Sequence, residues 1–99
     1  MQRQVLALSP DDQAYNYNIA LIYDELGKLE DAYSTSKKLY HLMKEADEYD
    51  DDHLFLVIRL FAKNNDSLAR EAYSKLQEVN PYRASMVMQN KELKKSLGI

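Results

Sequence analysis

The chain has 99 residues, enough for one domain with a modest core. Its formal charge of −3 counts against a generic nucleic-acid binder, which needs a basic face. With no cysteine there is neither a disulfide framework nor a thiolate site, and no cofactor is expected. That absence fits a cytoplasmic location without excluding export. Only two glycines and two prolines punctuate the chain, so an all-α fold is expected.

In chain order, residues 2–8 read as a short helix ended by "SPDD", where Ser9, Asp11 or Asp12 can cap the next helix. Residues 12–26 carry Ile19, Leu21, Ile22, Tyr23 and Leu26 in an amphipathic rhythm. Gly27 and Lys28 follow. Residues 29–46 repeat the pattern with Ala32, Leu39, Leu42 and Met43. The acidic junction "DEYDDD" then leads into a helix over 53–63. Its most apolar run, "LFLVIRLFA", is nine residues with an arginine inside, against the roughly 20 that a membrane span needs. It reads as a buried helix, and no membrane partner is expected. "NND" makes the next break, residues 66–79 form another helix stopped by Asn80-Pro81, and the remainder reads as one last helix ending near Gly98.

The pattern recurs. A shift of 37 residues brings Ile19 onto Leu56, Ala20 onto Val57 and Tyr23 onto Leu60. It also brings Ala32 onto Ala69, Leu39 onto Leu76 and Leu42 onto Val79, and places Asn64 where Gly27 stands. Glycine and asparagine both tolerate the left-handed backbone of a tight helix–helix corner, so Gly27 and Asn64 are the expected corners.

The run "YNIALIYDELGKLEDAYSTSKKL" resembles a tetratricopeptide repeat (TPR), with Ala20, Tyr23, Gly27 and Ala32 at the small, aromatic, turn and small positions of that family. "LVIRLFAKNNDSLAREAYSKLQEVNP" is similar to a second repeat, with Ala69, Tyr73 and Pro81 in place. Departures are Asn16 and His53 at a bulky position, Lys44 at a proline position, and Val57 at a small one. The resemblance divides one domain into residues 1–10 (tail of a preceding repeat, or a leading helix), 13–46, 50–82 and a capping helix over 83–99. A chain opening on a repeat's tail is expected of a fragment of a longer array.

The resemblance implies a curved stack of helix pairs, because each pair has an apolar stripe that it cannot bury alone. It further implies a non-enzymatic protein-interaction scaffold that takes a peptide or partner protein on its concave face. Tyr17, Leu21, Asp24 and Glu25 from the first repeat and Leu54, Ile58 and Phe61 from the second (with Ala62 beside them) form the expected strip, which is either a groove for an apolar peptide segment or covered by the C-terminal helix or a missing repeat. Family members that grip acidic chaperone tails use lysine and asparagine there. Tyr17, Leu21, Leu54 and Ile58 occupy those places here, so a carboxylate clamp is not expected. The competing expectation is a regulatory or structural segment of a larger enzyme or of a secretion or assembly component, with activity elsewhere.

Other constellations carry less. His41, Glu45, Glu48, Asp50, Asp51, Asp52 and His53 have metal-ligating chemistry, but acids before a helix also complement its N-terminal dipole. No EF-hand glycine or HExxH spacing accompanies them, and the capping role is favoured. No G-x-S-x-G or phosphate-cradling loop exists, so catalysis is not expected. Of the eight tyrosines, Tyr23, Tyr33, Tyr40 and Tyr73 are expected in the core. Arg83, Lys91, Lys94 and Lys95 against Glu92 make the C-terminal segment locally basic, in the manner of a solvated cap.

Overall fold

The computed structural model describes residues 12–97, and every element among them is an α-helix. The helices are α1 (Gln13–Glu25), α2 (Leu29–Ala46), α3 (Asp51–Lys63), α4 (Leu68–Val79), α5 (Pro81–Gln89) and α6 (Lys91–Leu97). The expected helix over 2–8, its caps Ser9 and Asp11, and the end at Gly98 lie outside the described residues. Two compact units divide the chain, Met1–Glu48 and Tyr49–Ile99, and the boundary falls inside the acidic junction.

In the first unit the Asp12 carboxylate accepts the Ala14 N–H at 2.9 Å and starts α1. The helix ends when Lys28 N–H reaches the Tyr23 carbonyl and Gly27 N–H reaches that of Asp24, at 2.9 and 3.1 Å. Gly27 holds φ +78°, the left-handed residue of a Schellman end. Three residues, Leu26 to Lys28, therefore suffice to turn α2 back along α1. Ala20 and Ala32 are wholly buried, which lets two backbones approach closely, and Leu39, Tyr40 and Met43 fill the rest of the α2 face. Asn16, at the family's bulky position, is also buried; its amide donates to the Asp12 carbonyl at 2.9 Å, so the polar group costs little. Ser36 likewise donates its hydroxyl to the Tyr33 carbonyl at 2.7 Å. The amphipathic face differs from the expected one, for Ile22 and Leu26 are exposed, and so is Leu29. The packed face runs through Asn16 and Ala20 instead.

The second unit is built on α3, in which Leu54, Leu56, Val57, Ile58, Leu60, Phe61 and Ala62 are all buried. A helix apolar on nearly every side must be surrounded. Here α4, α5 and α6 all pack against it. Asp50 caps α3, its carboxylate accepting Asp52 and His53 N–H at 2.8 and 3.3 Å, so the helix begins at Asp51 rather than at His53. At the far end Asp66 N–H bonds to the Phe61 carbonyl at 3.0 Å and Asn65 N–H to that of Ala62 at 3.1 Å. The left-handed residue is Asn65, at φ +54°, and not Asn64. Asn64 sits at φ −102° and sends its side chain back to the Leu60 carbonyl at 2.9 Å.

That correction alters the repeat register. Caps Asp12 and Asp50 match at a shift of 38, as do corners Gly27 and Asn65, whereas the buried Ala32 and Ala69 keep the shift of 37. The reason lies in the first turn of α4. Ala69 and Arg70 N–H bond to the Asp66 and Ser67 carbonyls, three residues back, where the equivalent Ala32 N–H bonds to Lys28, four back. This 3₁₀ start winds more tightly and brings the buried face round one residue early. In the corrected register Ala20 is equivalent to Ile58 rather than to Val57, so the second unit has a large side chain where the first has a small one.

The last segment is two helices, not one. Asn80 caps α5 by accepting Arg83 N–H at 3.1 Å. Asn90 then adopts an extended backbone (φ −87°, ψ 109°) and accepts Leu93 N–H at 3.1 Å, so the chain restarts as α6 in a new direction. Val87, Leu93 and Leu97 are buried by that bend.

Candidate functional site

The expected strip divides in two. In the first unit Tyr17, Leu21, Asp24 and Glu25 share one face of α1 by their three- and four-residue spacing. Tyr17, Leu21 and Asp24 are half-buried and Glu25 is exposed. In the second unit Leu54, Ile58 and Phe61 are each 0% exposed. They serve the packing of α3, and a partner meets none of them at the surface.

What the second unit does offer is a cleft of about 390 Å³ beside the end of α3. Arg59, Ala62 and Lys63 line it from α3, and Asn90, Glu92, Leu93 and Lys95 from the α5–α6 bend. Ala62 and Leu93, 4% and 6% exposed, form an apolar floor. Lys63 and Lys95 are exposed at its rim and Arg59 is half-exposed. Arg59, Lys63 and Lys95 are the cations of this lining and Glu92 its carboxylate. Sequence reading singled out Ala62, Lys95 and Glu92 separately and allowed that the C-terminal helix covers the strip on α3, but it missed Arg59 and Lys63. The signal for the bend was present, since Asn90 ahead of "KEL" is a good helix N-cap. A second hollow, about 480 Å³, lies along α4 over Arg70, Tyr73, Ser74 and Gln77 and has no apolar floor from another helix.

The acidic junction has a structural part to play. Carboxylate oxygens of Asp50, Asp51 and Asp52 lie within 4.8 Å of one another. Each is engaged within the protein. Asp50 caps α3, Asp51 accepts from the Asn80 amide at 2.8 Å, and Asp52 accepts from Arg83 Nη1 at 2.6 Å. Arg83 Nη1 also stands 3.9 Å from Asp51, and the guanidinium lies 4.8 Å from the Phe55 ring centroid. The cluster thus ties the start of α5 to the start of α3. His41 pairs instead with Glu45 on the surface of α2, at 3.2 Å. Of the tyrosines expected inside, only Tyr40 is fully buried. Tyr23, Tyr33 and Tyr73 are half-buried, since a tyrosine keeps its polar end near water. Lys37 and Lys44 stand 5.3 Å from the Tyr33 and Tyr40 ring centroids, one helical turn on.

No helix among the described residues is long and apolar enough to cross a membrane. Comparison with protein-family models, curated proteins and solved structures returned no match.

Proposed function

We propose that the chain is a non-catalytic protein-interaction module built from tetratricopeptide-like helix pairs. One observation carries the reading: the same hairpin occurs twice, with an aspartate cap and a left-handed corner that both recur at 38 residues. Recurrence of a whole helix–turn–helix, corner included, is the mark of repeat scaffolds, whose usual work is to present surface to a protein or peptide. The partner is a protein or peptide, bound along the Tyr17–Glu25 face of α1 or at the cleft beside α3, without nucleic acid, membrane or cofactor.

Selection of a displayed random-peptide library on the full chain tests this. At least one sequence motif should enrich, and its capture should fall with Tyr17→Ala on α1 or Lys63→Glu at the cleft, helical circular dichroism being retained. A selection that enriches nothing above the bare support overturns the proposal.

A further inference from the structure

We propose that the outer face of α5 is a self-association surface, on which a second copy of this chain docks across a two-fold axis. It lies apart from both places named above for a peptide, since no residue of α5 belongs to α1 or lines the cleft.

The sequence of α5, "PYRASMVMQ", holds one charged residue, Arg83. The cap at Asn80 and the packing on α3 fix which side turns inward. Ala84 and Val87 are buried, and Arg83 is drawn to Asp52 at 2.6 Å and to the Phe55 ring. Left outside are Pro81, Tyr82, Ser85, Met86 and Gln89, which recur at intervals of three and four along one side. Among the described residues each of the other helices exposes at least one charged side chain, such as Glu25, Glu30, Asp52, Arg70 or Lys91. Helix α5 exposes none. Tyr82 is 77% and Met86 42% exposed, so two large side chains stand in water with no charge beside them on their helix face. Tyrosine and methionine without charge is the make-up of an interface core rather than of a solvated helix.

The absence of charge also argues for the occupant. A charged partner surface would lose its water against this face and find no counter-charge there. A second copy brings a face equally free of charge, and a two-fold axis joins the two without like-charge repulsion. Antiparallel pairing sets Tyr82 against the partner's Met86 and Met86 against the partner's Tyr82, in sulfur–aromatic contact. Ser85 falls between them, where a small residue lets two helices approach. Its hydroxyl already donates to the Tyr82 carbonyl at 2.6 Å, so covering it strands no donor. The area sets the strength. Nine residues make a helix about 14 Å long, and the contact falls short of the roughly 800 Å² per partner of a standard interface. The dimer is therefore weak, with a Kd on the order of 0.1–1 mM.

The experiment is sedimentation equilibrium of the full chain from about 20 µM to about 2 mM, with amide NMR shifts followed over the same dilution. The mean mass should rise from monomer toward dimer, and the shifts that move should centre on α5. Tyr82→Lys and Met86→Glu change exposed residues, so helical circular dichroism should be retained, and each variant alone should weaken association about tenfold. Mixed in equal amounts, the two variants should associate again to within about threefold of the native chain. In that pair the introduced cation meets the introduced carboxylate, and one native Tyr–Met contact survives. A chain that stays monomeric at about 2 mM overturns the inference and leaves the face to a different partner. So does association that either folded variant leaves unchanged, a mixture no stronger than its components, or shift changes centred away from α5.

Discussion

Gly27 is the position where a single substitution tests the fold most directly. It holds φ +78°, and a Cβ built there meets nothing within 4 Å. Sterics with neighbours therefore contribute no penalty to Gly27→Ala, and the cost is conformational. Holding an L-residue in the left-handed region costs roughly 1–2 kcal/mol. Removing glycine from the unfolded chain returns about 0.4–1 kcal/mol of that, because alanine has fewer unfolded conformations to lose. The net expectation is a destabilisation of about 1 kcal/mol, or a drop of about 4–8 °C in the melting temperature of a protein this size. Urea unfolding followed by circular dichroism at 222 nm measures it. A graded series makes the argument sharper. Gly27→Asn should cost about half as much, since asparagine tolerates this backbone, and Gly27→Val should cost more than alanine because its Cβ is branched. The mirror change, Asn65→Gly at φ +54°, should be neutral or slightly stabilising. If Gly27→Ala is neutral or stabilising, or if Asn65→Gly destabilises by as much as 1 kcal/mol, the corner assignment is refuted.

Two further perturbations address the acidic junction. Asp50→Ala removes the oxygen that accepts the Asp52 and His53 amides, and should cost about 1 kcal/mol in urea unfolding, whereas Asp50→Asn should cost far less. Arg83→Met removes a 2.6 Å bond to Asp52 while retaining most of the packing over Phe55. Arg83 is 29% and Asp52 55% exposed, so a loss of about 1 kcal/mol at low salt is expected, shrinking as salt is raised to molar levels. A loss that ignores salt would show that Arg83 acts by packing rather than by charge.

Much of the secondary structure was legible because it depends on neighbours in sequence. Helix α2 lies where its periodicity places it, over Leu29–Ala46, and Asp12 and Gly27 bound α1 through side-chain and backbone chemistry that is local. The second corner was misplaced by one residue because glycine announces its role and "NND" does not. Asn64, Asn65 and Asp66 are all competent turn residues, and the hydrogen bonds to Phe61 and Ala62 choose among them. The break at Asn90 was passed over for a similar reason, since an asparagine within a helical pattern becomes a stop only when another cap competes with continuation.

The sequence by itself determined that the described segments are helical, where α1 and α2 begin and end, and that one hairpin pattern occurs twice. These follow from spacing, caps and left-handed corners, which act over a few residues. Tertiary packing decided which apolar residues are available to a partner. Ile22 and Leu26 share the hydrophobicity of Leu54 and Ile58, yet the first pair is exposed and the second wholly buried. Periodicity marks a residue as apolar; whether it meets water depends on how many helices close around it. Among the described residues α4, α5 and α6 pack against α3, the last because the turn at Asn90 folds it back. The same turn brings Lys95 into the hollow beside Arg59 and Lys63, so the cationic cleft exists only in the folded chain.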